Sequence, residues 1–390
     1  MSAVLPSLNT PSPRLLSSQA WSGVLIAVLA IGVLMPLLNL VVPAGNVLHV
    51  SDYMVSLVGK IMCYAICALA MDLIWGYTGI LSLGHGVFFA LGGYAMGMYL
   101  MRQIGRDGNY KSELPDFMVF LDWKTLPWYW GLSDSFVAQM LLVVLVPGVL
   151  AFAFGYFAFR SRIKGVYFSI ITQALTFAAM LLFFRNETGF GGNNGFTDFK
   201  RILGTPVATP TMRMGLFTLT GLTLIGFFVL ARWLVQSKFG RVLQAIRDAE
   251  SRVMFTGYDP LRYKLTIWVI SAVMCGVAGA LYVPQVGIIN PSEMSPASSI
   301  EIAIWVAVGG RGTLIGPIVG AFFVNGAKSW FTQAFPEFWL YFLGALFIAV
   351  TLFLPNGLTG LLRRPEGLTG LLRRPGRLAD LLRRKTQAGP

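Results

Sequence analysis

Charged residues are scarce in this chain: they make up 12% of its 390 residues, whereas hydrophobic residues make up 55%. Average soluble proteins carry about twice that charged fraction. The composition excludes an ordinary soluble domain and predicts an all-α polytopic membrane protein. The net charge of +13 does not indicate nucleic-acid binding, because the basic residues stand in short segments beside apolar runs, where they orient a protein in its membrane and contact anionic lipid.

Cysteine and histidine are equally sparse. Cys63, Cys67 and Cys275 all lie inside apolar runs, so no disulfide framework is predicted. Cys63 and Cys67 share one helical face, but no histidine or third thiol lies nearby in the sequence, and no metal site is expected. The two histidines, His49 and His85, are not accompanied by paired carboxylates or by a catalytic motif. The chain is therefore not predicted to be an enzyme.

About ten apolar runs are candidates for membrane spans, and two of them are shorter than the rest. The longer runs cover residues 21–43, 53–75, 80–101, 136–158, 165–184, 214–235, 264–285 and 337–354. The shorter runs, 298–310 and 313–330, flank the sequence GGRGT. They form either two spans or one re-entrant hairpin, and both alternatives leave the chain termini on the same side.

Basic residues set the predicted orientation, because loops rich in Lys and Arg stay in the cytoplasm. With a cytoplasmic N-terminus, most of the 30 basic residues are cytoplasmic, and so is the C-terminus. The predicted organisation is an N-terminal segment (1–20), a transmembrane domain (21–354) with one long cytoplasmic loop (236–263), and a basic tail (355–390). The first run could be read as a signal peptide, but its length and the lack of a small-x-small cleavage site favour an uncleaved span.

The tail contains an internal repeat. The sequence GLTGLLRRP occurs at Gly357–Pro365 and again at Gly367–Pro375. Each proline interrupts a helix. We expect this basic tail to rest on anionic lipid headgroups rather than to form a dedicated binding site.

The loop between Gln236 and Tyr263 is basic and amphipathic. Its apolar residues Phe239, Val242, Leu243 and Ile246 recur at the spacing of one helical face. The pattern predicts a short helix at the cytoplasmic membrane surface. The chain lacks the sequence GxxxxGK[ST] that binds ATP phosphates, so any ATP-driven work requires a separate subunit.

Charged side chains inside spans are costly unless they are paired or reach water, which makes Lys60, Asp72, His85 and Glu301 conspicuous. Lys60 and Asp72 share one span, and we expect them to snorkel or to pair with neighbouring helices. Asp72 lies near the cytoplasmic end, which favours this structural role over a role in a solute pathway. Glu301 begins a short span and is either a solvated cap or part of a solute pathway.

Two glycine-rich segments predict broken or closely packed helices. The first, residues 79–93, surrounds His85, for which the alternative is helix packing with a hydrogen-bonded histidine. The second, residues 309–322, contains Gly316 and Pro317, which are expected to break a short span. In transporters such breaks line the solute route. The candidate gating glycines are Gly309, Gly310, Gly312 and Gly316.

Three ordered motifs resemble the branched-chain amino acid and amide permeases of ATP-driven importers. They are GYTGILSLGHGVFFALGGYAMG, SKFGRVLQAIRDAESRV followed by GYDPLRYKL, and AVGGRGTLIGPIVGA. The resemblance extends from about residue 53 to residue 362. Within the family, FGGNNGFTDFK, LYVPQVGIINPSEMSPASSIEIAIWVAVGGRG and AKSW are most similar to the urea permease subunit.

The resemblance implies a subunit of the bacterial inner membrane that needs no cofactor. Its implied partners are a second homologous permease, two cytoplasmic ATP-binding subunits and a periplasmic urea-binding protein. The cytoplasmic loop would meet an ATPase through Phe239, Arg241, Val242, Leu243, Ile246, Arg247 and Glu250. The importer consensus EAAxxxG is poorly kept, since Glu250 stands seven rather than six residues before Gly257.

Urea is uncharged and offers one carbonyl acceptor and four N–H donors, so its pathway needs hydrogen-bonding groups but no counter-charge. The candidate pathway residues are the polar groups Ser82, His85, Thr172, Gln173 and Glu301. Candidates for the periplasmic mouth are Asn193, Asn194 and Thr197, for which the alternative role is forming a glycine-rich turn.

Two alternatives stay open. A branched-chain amino acid would need partners for its carboxylate and its ammonium group, and Lys60 is a cation within a span. A short amide belongs to the same alternative. A passive urea or amide channel, in contrast, would work without ATP and would not require the segment 239–252.

Overall fold

The computed structural model describes residues 18–43, 45–163, 165–338, 341–346, 348 and 357–363. Helices dominate the described chain. They are α1 (Ser18–Leu29), α2 (Asp52–Thr78), α3 (His85–Arg102), α4 (Asp116–Phe120), α5 (Phe136–Arg160), α6 (Val166–Phe184), α7 (Pro210–Gln236), α8 (Lys238–Phe255), α9 (Pro260–Val286), α10 (Pro296–Gly309), α11 (Ile315–Ala334) and α12 (Gly357–Arg363). Two π-helical turns, Ala30–Leu34 and Leu37–Val41, continue α1.

Four short strands lie in the loops. The strand β1 (Phe196–Thr197) pairs antiparallel with β4 (Ile288–Ile289). The strand β2 (Arg201–Ile202) pairs antiparallel with β3 (Thr205–Pro206). The first pair joins the loop after α6 to the end of α9, and the second lies within that loop.

The predicted all-α polytopic architecture is confirmed. Six described helices are long and apolar enough to cross a membrane: Ala20–Val41, Asp52–Thr78, Phe136–Arg160, Val166–Phe184, Pro210–Gln236 and Pro260–Val286. The helices α3, α10 and α11 cover the predicted runs 80–101, 298–310 and 313–330. The run 337–354, the segment 1–20 and the tail 355–390 lie partly or largely outside the described residues.

Two details of the predicted spans need correction. Residues 79–84 are apolar but not helical, because Gly79 ends α2 in the left-handed region with φ of 76° and α3 begins only at His85. Gly316 and Pro317 do not break a span. They lie in the first turn of α11, where backbone N–H groups have no helical partner and proline is therefore tolerated.

The helix α2 forms the centre of the bundle. Its residues from Cys63 to Ile74 are almost all buried, and it packs against α7, α9, α10 and α11. This burial follows from its sequence, since a helix that is apolar on every face has no side to turn toward water. The helix α9 is similarly buried and packs most closely against α3.

The outer helices α5 and α6 differ from this centre. They carry exposed apolar side chains such as Phe157 and Tyr167, which are 69% and 75% exposed. An apolar outer surface is what lipid contact requires, because lipid tails cannot hydrogen-bond to polar side chains. Membrane lipid is accordingly the expected neighbour of much of this surface.

Glycines allow α3 and α9 to touch at the backbone. A Cβ atom added to Gly92 would overlap the carbonyl of Gly276, and one added to Gly279 would overlap the carbonyl of Phe89. Small residues at a helix crossing permit such close approach, which is a principal source of packing energy inside a membrane. The crossing fixes α3 relative to the centre of the bundle.

We expect Gly92→Val to destabilise the bundle by about 3 kcal/mol or more, because the added methyl groups would overlap backbone atoms that cannot rotate away. Thermal unfolding of the purified protein, followed by size-exclusion chromatography, measures this. The control is Gly226→Val in α7, where an added Cβ meets no atom within 4 Å among the described residues. Equal unfolding temperatures for the two variants would contradict the close crossing.

Candidate functional site

A cavity lies beside the middle of α2. Tyr64, one of its lining residues, stands near the centre of the 27-residue helix, roughly 20 Å from either end at 1.5 Å per residue. The cavity therefore lies about half-way along α2, and it is partly open, since Tyr64 and Glu301 are only half-buried. Its lining consists of Tyr64, Cys67, Gly86, Phe89, Glu293, Ser298, Glu301, Ile302 and Trp305.

Aromatic rings form part of the lining of this cavity. The ring of Tyr64 lies 4.9 Å from that of Trp305, 5.6 Å from that of Tyr282 and 6.1 Å from that of Phe89, measured between centroids. The lining rings come from α2, α3 and α10, and the Tyr282 ring of α9 packs against those of Tyr64 and Phe89. Flat, rigid walls of this kind suit a small planar solute.

Two carboxylates enter the same cavity. Glu301 accepts hydrogen bonds from the Lys328 ammonium at 2.8 and 3.1 Å. Glu293 accepts a hydrogen bond from the Tyr282 hydroxyl at 3.2 Å. The cavity thus combines carboxylate acceptors with aromatic surface.

Lys60 lies beside these groups on α2. Its ammonium is 5.7 Å from the ring centroid of Tyr64 and 5.9 Å from that of Tyr282, both within the range of a cation–π interaction. It also interacts electrostatically with Glu293. Lys60 was expected to snorkel or to pair with a neighbouring helix. The expectation is partly met, because the ammonium contacts the ring of Tyr282 on α9 as well as that of Tyr64 on its own helix.

Glu301 is the predicted pathway residue that lines the cavity. The other lining carboxylate, Glu293, and the partner Lys328 were not predicted. A sequence signal existed for both, since Glu293 lies in the motif LYVPQVGIINPSEMSPASSI and Lys328 in AKSW. Their spatial meeting depends on how α9, α10 and α11 pack, which no periodicity reveals.

Ser82 and Thr172 lie where α2 and α3 are separated. The Ser82 hydroxyl accepts a hydrogen bond from the backbone N–H of Gly84 at 3.1 Å, and the Thr172 hydroxyl accepts one from that of Leu83 at 3.0 Å. Both side chains are fully buried. Their observed contacts satisfy the unwound backbone, and a role in the pathway stays a prediction.

His85 is buried at the start of α3. Its Nε2 lies 2.7 Å from the Ser271 hydroxyl, which donates to the carbonyl of Ala70 at 2.6 Å. This is the arrangement of a hydrogen-bonded histidine in a packed helix, the alternative considered from the sequence. Gln173 is half-buried on α6, and its backbone carbonyl accepts a hydrogen bond from Thr176.

The predicted mouth residues are exposed. Asn193 and Asn194 end a 3-10 turn, and Thr197 lies in β1. The turn depends on Gly191 and Gly195, whose φ angles of 77° and 64° fall in the left-handed region. The asparagines are therefore presented by a glycine-rich turn, and their contact with a partner stays a prediction.

An ion pair anchors the other long outer loop. The Arg102 guanidinium at the end of α3 donates to both carboxylate oxygens of Asp134 at 2.7 and 2.8 Å. This hydrogen bonding lowers the pKa of Asp134 below its ordinary value, because it favours the charged carboxylate. The ion pair thereby joins the two ends of the loop between α3 and α5.

On the opposite face, α8 confirms the predicted amphipathic helix. Leu243 and Ile246 are buried against the bundle, and the half-buried Phe239 stacks on Tyr263 with ring centroids 5.3 Å apart. The apolar stripe therefore attaches the helix to this chain. Arg241 and Arg247 lie on the exposed side, whereas Val242 is half-buried.

Glu250 and Arg247 connect α8 to neighbouring helices. Glu250 forms an ion pair of 2.5 Å with the buried Lys264 at the start of α9. The Arg247 guanidinium donates to the carbonyl of Gly76 at 2.8 Å, and its side chain packs over Gly79. The helix thus contacts the end of α2 directly.

Of the two outcomes expected for Asp72, snorkelling or pairing with a neighbouring helix, the structure shows the second. Its side chain is fully buried, and its carboxylate accepts hydrogen bonds from the backbone N–H groups of Gly312 and Leu314 at 2.6 and 3.2 Å. One turn further along α2, the Tyr77 hydroxyl donates to the carbonyl of Gly312 at 3.0 Å. Asp72 and Tyr77 therefore hold the turn between α10 and α11 against α2.

The predicted gating glycines all lie at this turn. Gly309 ends α10, Gly316 lies in the first turn of α11, and a Cβ on Gly309 would overlap the Gly316 carbonyl. Gly310 and Gly312 have φ angles of 116° and 75°, which side chains with a Cβ rarely adopt. These residues are required for the turn itself, and a gating role stays a prediction.

The first residues of the repeated tail contact the same turn. The Thr359 hydroxyl donates to the Gly309 carbonyl at 3.0 Å, and Gly357 packs against Gly310. The expectation that the tail rests on lipid does not hold for these residues, which contact protein. The second copy of the repeat lies outside the described residues.

A bundle of apolar helices with a polar cavity at its centre and a basic amphipathic helix on one face defines a multi-span transport protein. The chain belongs to the family of permease components of branched-chain amino acid transport systems, whose profile matches residues 53–351. It is therefore a non-catalytic permease component of an ATP-driven transporter, homologous to bacterial inner-membrane permeases. Membership implies a second permease, ATP-binding subunits and a periplasmic binding protein as partners.

Individual relatives agree with this assignment. The LivM permease protein of the high-affinity branched-chain amino acid transport system of Salmonella typhimurium is 25% identical over 325 residues, which cover 77% of this chain and 69% of that protein. Its Escherichia coli counterpart is 24% identical over the same shares of both chains. The LivH permease protein of Salmonella typhimurium is 22% identical over 76% of this chain and 91% of its own length. No solved structure matches the chain.

We expect Asp72→Ala to lower stability, because it leaves two buried N–H groups without their acceptor at about 1–3 kcal/mol each. Asp72→Asn keeps one acceptor oxygen and is expected to lose less. The thermal unfolding midpoints of the purified variants give the comparison. A wild-type midpoint for Asp72→Ala would show that the turn does not depend on this carboxylate.

Proposed function

We propose that this chain is a permease subunit that carries urea across the bacterial inner membrane. It works with a second homologous permease, two cytoplasmic ATP-binding subunits and a periplasmic urea-binding protein. The observation that carries the proposal is the cavity beside the middle of α2, where two carboxylates meet a wall of aromatic rings. Such a cavity offers acceptors and flat surface to a small planar solute.

The chemistry of urea supports this assignment. Urea has four N–H donors, and carboxylate oxygens are strong acceptors for them. Glu293 and Glu301 both line the cavity, and the ring of Trp305 lies against that of Tyr64 within it. The Lys60 ammonium, beside Tyr64, is a donor suited to the single carbonyl of urea.

The balance of charge also supports a neutral solute. Glu301 is paired with Lys328, and Glu293 interacts with Lys60 and Lys328. Two carboxylates therefore face two ammonium groups. A solute without net charge enters such a site without leaving a buried charge uncompensated.

A branched-chain amino acid is the second candidate substrate. The specific observation in its favour is that an ammonium group and two carboxylates lie near one cavity, so they can receive both charged ends of a zwitterion. The LivM and LivH relatives, which are permease proteins of branched-chain amino acid transport systems, point the same way. Under this alternative, Lys60 would bind the substrate carboxylate.

Uptake measurements separate the two substrates. In proteoliposomes that contain the complete transporter, the binding protein and internal ATP, we expect labelled urea to accumulate and unlabelled leucine not to compete. Glu293→Gln is expected to lower urea uptake about tenfold, because a charged acceptor is replaced by a neutral amide. Accumulation of leucine and not of urea would overturn the proposed substrate while keeping the transport function.

The helix α8 supports the link to ATP hydrolysis. Its buried stripe attaches it to the bundle, whereas Arg241 and Arg247 remain exposed on the face predicted to be cytoplasmic. We propose that the exposed face docks an ATP-binding subunit. The Arg247 contact with Gly76 then connects that subunit to α2.

We expect Arg247→Ala to uncouple transport, leaving ATP hydrolysis while urea uptake falls about tenfold or more, because a charged hydrogen bond to α2 is lost. Hydrolysis and uptake are measured on the same proteoliposomes. Arg252→Ala removes a charge from an exposed site on the same helix and serves as the control. Uptake unaffected by Arg247→Ala, or uptake that needs no ATP, would favour a passive channel.

A further inference from the structure

Lys60 differs from the other charged groups at the cavity. Among the residues that the structure describes, no carboxylate lies within 4.0 Å of its ammonium, and aromatic faces of Tyr64 and Tyr282 surround it instead. Lys328, in contrast, is committed to Glu301 at 2.8 Å. A cation held by rings inside a bundle is costly, so its charge needs an explanation beyond packing.

The carboxylates of the cavity create a selectivity problem. Acceptors that bind the N–H groups of urea also bind guanidinium, which has nearly the same planar shape and carries a positive charge. Hydrogen bonds to carboxylate are stronger for a charged donor than for a neutral one. Without a counter-charge, Glu293 and Glu301 would favour the cation over urea.

Lys60 is placed to reverse that preference. The Lys60 ammonium interacts electrostatically with the carboxylate of Glu293. That carboxylate accepts a hydrogen bond from the neutral hydroxyl of Tyr282. Together with Lys328, Lys60 makes the charge of the site zero rather than negative. Since Tyr64 is both a lining residue and a ring beneath the Lys60 ammonium, the positive charge lies at the wall of the cavity.

We propose that Lys60 is a specificity-determining residue that excludes guanidinium and other small cations from the solute pathway. The inference rests on the proposed function, because it assumes urea as the solute. Lys60 repels a cation in the cavity by direct charge interaction, whereas it attracts the carbonyl oxygen of neutral urea. Lys60 is half-buried, so this repulsion is stronger than between charges in bulk water and weakens as the ionic strength rises.

The test uses the complete transporter in proteoliposomes, with labelled urea and with guanidinium chloride as the competitor. In the wild type, we expect guanidinium to inhibit urea uptake only at high concentration. In Lys60→Gln and Lys60→Met, we expect the half-inhibitory concentration of guanidinium to fall by about tenfold or more, since the site becomes negative. Lys60→Arg keeps the charge and is expected to behave like the wild type.

Two controls keep the result specific. Calorimetry on the isolated binding protein checks that guanidinium does not displace urea before delivery, and sodium chloride at equal ionic strength checks for screening. Size-exclusion chromatography checks that each variant assembles with its partners. A variant that fails to assemble is replaced by the other neutral substitution.

The outcomes separate the two levels of the proposal. Equal guanidinium sensitivity of the wild type and both neutral variants overturns the role of Lys60, as does a sensitive Lys60→Arg. If the wild type takes up leucine and not urea, the proposed substrate itself is overturned, and with it the inference. In that case Lys60→Met is expected to reduce leucine uptake, because the carboxylate of the substrate loses its partner.

Discussion

Every backbone N–H and C=O group inside a membrane must find its partner within the protein, and much of this structure follows from that constraint. The chain unwinds at residues 79–84 and turns sharply at Gly310–Leu314. At both places polar side chains from other helices supply the missing acceptors. Thr172 serves the first segment, and Asp72 serves the turn. Buried polar residues such as Thr172 and Asp72 therefore serve as hydrogen-bond acceptors for backbone N–H groups where the helices are interrupted.

The groups around the cavity do not follow this rule. Glu293, Glu301 and Lys328 bond to one another's side chains or to a tyrosine hydroxyl rather than to unwound backbone. The need to satisfy unwound backbone groups therefore does not explain why these side chains are charged. Because buried charges are retained in membrane proteins where they act on solutes or ions, this cluster has the stronger claim to be the solute site.

The distinction explains how far the sequence could predict the molecule. Hydropathy located the spans, since burial in lipid requires long apolar runs, and periodicity located α8. The same reasoning selected His85 as a pathway residue because it is polar and stands among glycines. In the structure its observed partner is Ser271 on α9, which lies far away in the sequence. Polarity within a span predicts burial and a partner, but it does not predict whether the partner is backbone, side chain or solute.

Glu293 and Lys328 show the other limit of sequence reasoning. Glu293 lies between α9 and α10, and Lys328 lies near the end of α11, so both occupy positions where a solvated charge is unremarkable. Only the antiparallel packing of α10 on α11 brings Lys328 to Glu301. The turn that sets this packing is held by Asp72. Its position near a helix end predicts snorkelling or pairing with a neighbouring helix, but it does not predict which groups are the partners.

The same contacts connect the cavity to α8. Arg247 bonds to Gly76, and Gly76 packs against Gly312, which Asp72 holds through its backbone N–H. A displacement of α8 must therefore move the end of α2 together with the turn, or break the bond to Gly76. Near the middle of α2, Tyr64 contacts Trp305 of α10 in the wall of the cavity.

The helix α3 contributes Gly86 and Phe89 to the cavity lining, and it follows α2 in the chain through the unwound residues 79–84. A change in the angle between α3 and α2 at this segment breaks no helical hydrogen bond, because none exists there. The glycine crossing of α3 with α9 and the ion pair of Lys264 with Glu250 nevertheless connect α3 to α8, so the helices that line the cavity are all linked to α8. Any solute that favours one width of the cavity must also favour the corresponding position of α8, since the two are linked by the same equilibrium.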